Sequence, residues 1–384
     1  MQVPFDGDKL NALMEAEGVD LVLATSKHNV QYLLGGYRFV FFAHLDAIGP
    51  SRYLPAVGIP RGRPDAAFYV GNPMEAWQQA GEPLWPPTVR NSSWSSVATA
   101  SEVAELIRER GLGAGTIAVE QPFLPADGFG VLQHAVPTAQ WTEATPILEE
   151  LRAVKRPEEL ALLREASEAV VDAMLAVMRT TPAGTTTRAI ARRLHQEEVA
   201  RGLDYEYALI ATGPSFNRAP SDAGWERGHI LSLDSGGNRR GYIGDLARMA
   251  VMGRATSVMK DLLGEIQAAQ AAARGAVRAG APGKEVFEAA LAEQARCPHG
   301  QQMTFVAHGM GLVSHEAPHL TGSGMVPYPG THATRPLEAG MVLSIETELK
   351  HPEVGFVKLE DTIVVTRGGW QALGDAGRDW TEVA

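Results

Sequence analysis

Apolar residues recur at helical spacing near the start of the chain. Leu10, Leu13 and Met14 share a face over residues 8–17, and Gly18 stands where a left-handed residue ends a helix. VDLVLAT (19–25) and DAAFYV (65–70) read as buried strands. Thr99 and Glu102 have the spacing of a capping box before Val103, Leu106 and Ile107, with Gly111 as the stop. TIAVE (116–120) is the next strand. This alternation predicts an α/β domain over residues 1–150. YRFVFFAHLD (37–46) places four aromatics within six residues. It reads as a buried strand or hairpin, or as a loop that closes a pocket and reaches a neighbouring subunit.

The pattern changes at LRAVKRPEELALL (151–163), where Pro157 suits the first position of a helix. Helices are predicted to about Arg179 and over 186–201, stopping at Gly202, followed by a strand pair over 230–252. Helix returns over 256–295, interrupted near Gly280–Gly283, and strands over 303–307, 341–348 and 355–366. Helices, strands, helices, strands hint at an internal two-fold repeat. They predict an α+β domain over 151–384, with helices on one face of a curved, mainly antiparallel sheet.

Composition narrows the function. The 384 residues are 45% hydrophobic and 21% charged, a globular balance with room for two domains. A formal net charge of −11 argues against nucleic acid or an anionic membrane as partner. Cys297 is the sole cysteine, so no intrachain disulfide or multi-cysteine metal site is available. The first residues lack a basic region followed by an apolar core, and no apolar run is long enough to span a bilayer, which makes cytoplasm the expectation.

The candidate chemistry lies in the second half. In ILSLDSGGNRRGYIGDLARMAVM two apolar runs flank a glycine-rich turn, expected at Gly236, Gly237 and Gly241. Asp234 and Asp245 stand on opposite arms, where one register turns both to the same face. In MTFVAHGMGLVSHEAP a strand delivers His308 to a glycine-rich bend, with His315 and His319 following. HEAPH is not the zinc-binding HExxH helix, because Pro318 breaks the helix that motif needs. GMVLSIETEL and GFVKLEDTIVV each end an apolar run on a glutamate, Glu346 and Glu360. A buried carboxylate is costly unless paired or liganded. The alternative to metal is a set of cross-strand salt bridges with Lys358 or Arg248. Four carboxylates and one imidazole suit a pair of divalent cations better than one structural zinc.

The order of these motifs resembles the creatinase, prolidase, aminopeptidase P and methionine aminopeptidase family, the pita-bread metallohydrolases. The likeness covers about residues 156–368, and SKHNVQYLLGG (26–36) looks like the accessory domain of creatinase and prolidase. The resemblance implies that Asp234, Asp245, His308, Glu346 and Glu360 bind two divalent ions. Mn2+ is the first choice, with Co2+, Zn2+ or Fe2+ fitting the same ligands. It implies Glu346 as general base and proton shuttle, His315 as hydrogen-bond donor to the tetrahedral oxyanion, and a homodimer. The implied activity is that of an Xaa-Pro dipeptidase or aminopeptidase acting on a small peptide.

Some positions depart from the family. Arg218 stands where active peptidases usually carry a histidine. An arginine forks a carboxylate, so Arg218 and His319 are assigned to a small substrate, with a solvent-facing Arg218 as the alternative. Ala247, Thr347, Phe356 and Lys358 replace the usual threonine, proline, glycine and arginine. Those changes weaken the inference to proline specificity. They keep open a creatinase- or ectoine-hydrolase-like activity, or a lyase, on a small amide-like metabolite, and a non-catalytic binding module.

Overall fold

Helix α1 (Gly7–Ala16) begins where the Asp6 carboxylate accepts the Lys9 N–H at 2.9 Å, and Gly18 leaves it with a φ of +64°. The computed structural model describes residues 2–46 and 52–384. The chain divides into two compact units, Met1–Leu151 and Arg152–Ala384. In the first, β1 (Leu21–Ala24), α2 (Lys27–Leu33), β2 (Ala56–Pro60), β3 (Phe68–Gly71), α3 (Ala76–Gly81) and β4 (Thr88–Asn91) come in that order. They are followed by α4 (Ser96–Glu109), β5 (Thr116–Val119), α5 (Ala126–Ala135), β6 (Gln140–Glu143) and α6 (Thr145–Ala153). The sheet runs β4-β3-β2-β1-β5-β6, antiparallel on both sides of β2 and parallel elsewhere. Leu21, Leu23 and Phe68 pack on Val103, Leu106 and Ile107 of α4 to form its core.

Three expectations are corrected here. Ser95, not Thr99, caps α4, and the Thr99 hydroxyl donates to the Leu54 carbonyl at 2.6 Å. Residues 64–66 form a 3-10 turn, so the strand expected over 65–70 starts only at Phe68. The aromatic segment is neither strand nor hairpin. Val40–Ala43 is a 3-10 turn that buries Tyr37, Phe39 and Phe42 beside Tyr53 and Tyr69. The hydroxyls of Tyr37, Tyr53 and Tyr69 donate to the buried Glu75 carboxylate at 2.9, 2.6 and 2.7 Å.

The second unit runs α7 (Pro157–Thr180), α8 (Thr187–Ala200), β7 (Asp204–Thr212), β8 (Ile230–Arg239), β9 (Tyr242–Met252), α9 (Ser257–Ala276) and α10 (Lys284–Gln294). It continues with β10 (Met303–Gly309), β11 (Val342–His351), β12 (Gly355–Thr366), β13 (Gly369–Leu373) and β14 (Thr381–Val383). The main path is β10-β11-β12-β9-β8-β7, antiparallel throughout. Two helices and three strands thus occur twice, and the two triplets meet at β12 and β9. That is the repeat hinted at by the hydrophobic pattern, carried by topology alone.

Leu231 and Leu233 of β8, with Leu246 and Ala250 of β9, pack on Val170, Met174 and Val177 of α7. Asp234 alternates to the other face. The turn between β8 and β9 is Arg240–Gly241, both at positive φ (52° and 89°), as a two-residue hairpin requires. Gly236 and Gly237 lie inside β8, not in the turn as expected. Close packing explains the glycines: a Cβ on Gly236 would meet the Tyr207 ring at 2.4 Å, and one on Gly237 would meet Glu198 at 2.8 Å.

Candidate metal centre

Strand register builds the site. Asp245 stands opposite Gly236, and Asp234 opposite Ala247, so both aspartates share a face. Ala247 pairs with Glu360, Glu360 with Glu346, and Glu346 with Val306, two residues from His308 on the same face of β10. Five polar side chains from five strands thereby converge. Single ligand atoms of Asp234, Asp245 and Glu360 lie within 4.8 Å of one another, as do those of His308, Glu346 and Glu360. The cavity in front holds about 430 Å³. Asp234, Asp245, His308 and Glu360 are each at most 3% exposed.

The donor set fits a cation. The His308 Nδ1–H donates to the Gly309 carbonyl at 3.2 Å, which leaves Nε2 with its lone pair. That atom and Asp245 Oδ1 are buried with no hydrogen-bond partner. Nε2 stands 3.7 Å from Glu346 and 3.8 Å from Glu360, too far for a hydrogen bond and suitable for two donors sharing an ion. Burial pushes the Asp234, Asp245 and Glu346 carboxyls up, and the neighbouring Glu360 charge adds to this at each of them.

The salt-bridge alternative is also present. The Lys358 ammonium lies 2.6 Å from Asp234, 2.6 Å from Glu346 and 2.8 Å from Glu360. Burial alone would lower its pKa, but the three carboxylates outweigh burial and keep it charged. Burial likewise opposes ionisation of Glu360, yet Lys358 holds it well below the usual range. Arg218 does not face solvent. Its guanidinium pairs with Asp234 and lies 4.7 Å over the Phe356 ring, on the cavity wall. Four carboxylates thus face two fixed cations, a surplus of negative charge that a divalent ion neutralises. Lys358 and Arg218 both hold Asp234, whereas His308 Nε2 and Asp245 Oδ1 are bare.

His315 lines the cavity and stacks on His308, with ring centroids 3.8 Å apart. Burial pushes its pKa down to about 4, so it is neutral at pH 7. The loop is held from below by Glu316, a buried carboxylate paired with Arg152 at 2.9 Å and Lys155 at 2.8 Å. Burial would raise Glu316, but the two cations bring it down to about 2. His319, assigned to substrate from the sequence, is not on the cavity wall. Its backbone N–H donates to His332, and its buried ring stacks on Tyr328 at 5.5 Å.

Sequence reasoning missed two neighbours, Tyr207 and Tyr328, and placed Arg248 on the wrong face. Tyr207 lines the cavity alongside Asp245 and comes from β7, a strand that was not foreseen, although its Tyr205–Tyr207–Leu209 alternation signals one. Tyr328 bonds His315 from a segment without periodicity. Arg248 serves the other face, pairing with Asp361 at 3.0 Å and donating to the Glu360, Gly374 and Ala376 carbonyls. It thereby fixes the strand that carries Glu360.

Comparison with known proteins follows the same division. Residues 161–367 match the model of metallopeptidase family M24, and residues 8–154 match that of the creatinase/prolidase N-terminal domain. An uncharacterized peptidase of Bacillus subtilis, YqhT, is 25% identical over 94% of this chain and 95% of its own. An Xaa-Pro dipeptidase of Pyrococcus horikoshii is 25% identical over 62% of this chain and 68% of its own. The solved Xaa-Pro dipeptidase of Bacillus anthracis superposes with a TM-score of 0.81 at 21% identity, covering 98% of both chains.

Proposed function

The chain belongs to metallopeptidase family M24, and from that premise we propose that it is an Mn2+-dependent Xaa-Pro dipeptidase. The observation that carries the reading is the pair of bare buried donors, His308 Nε2 and Asp245 Oδ1, among three further carboxylates. Asp234, Asp245, His308, Glu346 and Glu360 would hold two ions, and the mainly carboxylate set favours Mn2+. Bound there, divalent ions supply Lewis acidity to a water and to the scissile carbonyl. Glu346, the most open of the carboxylates, takes the proton from that water and passes it to the leaving nitrogen. His315 donates a hydrogen bond to the oxygen that gains charge. Arg218 is poised at the wall to pair with the free carboxylate of a dipeptide.

A second reading, hydrolysis of a small non-peptide amide, draws on the same arginine and on the small cavity. Exposed Trp77, Val40 and Met74 on the first unit support a homodimer. No helix among the described residues is long and apolar enough to cross a membrane, which accords with a cytoplasmic enzyme.

The test is a panel assay on Mn2+-loaded protein. Xaa-Pro dipeptides should be cleaved and their C-terminal amides spared. Arg218→Ala should raise KM about tenfold or more for the dipeptide. Cleavage of the small amides alone would select the second reading, and an unchanged KM would remove Arg218 from substrate recognition.

A further inference from the structure

Residues 319–332 leave and re-enter the second unit through a narrow neck. The His332 N–H donates to the His319 carbonyl at 2.9 Å, and the His319 N–H donates to His332 Nδ1 at 3.2 Å. Gly330 closes the neck: its φ is +67°, and a Cβ there would meet the Gly322 nitrogen at 2.5 Å. The strap thus held carries two side chains to the site. Met325, 66% exposed, lines the cavity, and Tyr328 reaches His315.

The Tyr328 contact has a definite geometry. Its ring lies between His315 and His319, with centroids 5.8 Å from one and 5.5 Å from the other and interplanar angles of 29° and 27°. Its hydroxyl bonds His315 Nδ1. A phenol is the stronger donor of the pair and an imidazole nitrogen the stronger acceptor, so the proton lies on oxygen and points to Nδ1. A neutral imidazole whose Nδ1 accepts must carry its own proton on Nε2.

We propose that Tyr328 is a positioning residue: its hydroxyl fixes His315 as the Nε2–H tautomer, and the strap holds it there. His315 is then a ready hydrogen-bond donor toward the cavity rather than a base. This rests on the metallopeptidase reading for its consequence in catalysis, and on the Tyr328–His315 hydrogen bond for its physical basis. Stacking keeps the ring in plane, and the hydroxyl selects which nitrogen bears hydrogen.

Two substitutions separate these contributions. Tyr328→Phe keeps the stack and removes the hydroxyl, whereas Tyr328→Leu removes both. Long-range proton–nitrogen correlation on the full chain with 15N-histidine, assigned by His315→Gln, reads the tautomer directly. The wild type should show His315 with an acceptor-type Nδ1 and a protonated Nε2, and Tyr328→Phe should show a mixture of the two tautomers. In the Mn2+-loaded protein, Tyr328→Phe should lower kcat about tenfold with KM within about twofold, since only a fraction of the rings then present the donor. Tyr328→Leu should lower kcat further. A purely structural role would leave Tyr328→Phe silent in both measurements. A protonated Nδ1 in the wild type overturns the proposal even if dipeptides are cleaved. The Nε2–H tautomer, lost in Tyr328→Phe, supports it even if the substrate proves not to be a dipeptide.

Discussion

Replacing Glu198 with glutamine should remove a pH dependence from the stability of the second unit. Glu198 lies on α8, fully buried behind β8, opposite the metal face. Its Oε1 accepts from the Ser235 hydroxyl at 2.6 Å, and Oε2 has no hydrogen-bond partner among the described residues. Burial pushes the carboxyl from 4.5 up to about 7, against the opposing pull of the Ser235 bond. Between those values the folded chain keeps a proton that the unfolded chain has lost, so stability falls as pH rises. The slope is about 1.4 kcal/mol per pH unit, which amounts to ~3 kcal/mol over the whole window and flattens above about pH 7. Below the unfolded pKa the contribution is fully present. Urea unfolding of wild type and Glu198→Gln in chelator, from about pH 5 to about pH 8, isolates the effect, because other titrating groups cancel in the difference. The wild type should lose ~3 kcal/mol relative to the variant across that range. A difference that stays flat, or that grows in favour of the wild type at high pH, would refute the account of Glu198 as a buried, protonated acid.

Other expected outcomes concern the site and its supports. Glu316→Gln removes the buried carboxylate that Arg152 and Lys155 share and should cost about 3–5 kcal/mol, read as a fall in thermal midpoint; a loss under about 1 kcal/mol contradicts the clamp. Lys358→Met removes one of the two cations facing the four carboxylates. It should tighten Mn2+ binding by about tenfold or more in calorimetry, and an equal or weaker affinity would show that the ammonium does not compete with the metal. Mn2+ should raise the unfolding free energy of the wild type, by about 2.7 kcal/mol at one hundred times its dissociation constant, and His308→Ala should lose most of that gain. Gly244→Ala should destabilise through a Cβ placed 2.7 Å from the α7 backbone at Ala166 and Ser167; unchanged stability would mean that α7 can shift away from β9.

The candidate ligand residues were legible because each ends an apolar run where a carboxylate or imidazole has no reason to be buried except to bind or pair. Asp234 after ILSL and Glu360 after FVKL are the clearest cases. Register then did what spacing could not, bringing β12 beside β9 through the single pairing of Glu360 with Ala247. Local signals failed where a distant partner decided. Thr99 resembles a cap, but its hydroxyl is taken by Leu54, forty-five residues away in sequence. Gly236 and Gly237 resemble a turn, yet they make room for Tyr207 and Glu198 within a strand. His319 has the spacing of a site residue, but Pro318 and the strap turn its ring to Tyr328. Tyr328 itself sits in a glycine- and proline-rich segment, where no periodicity marks a residue as facing anything.

The clamp on Glu316 also sets where the protein can be divided. The stretch matched by the metallopeptidase family begins at residue 161, after both of the cations that hold Glu316. A fragment cut to that stretch would keep every candidate metal ligand and still strand a carboxylate in the interior, one residue from His315. A fragment beginning at Arg152 keeps both counter-ions. The recognisable motif region and the smallest region able to hold its own histidine loop therefore differ by the turn of chain just upstream, which contains none of the candidate metal ligands.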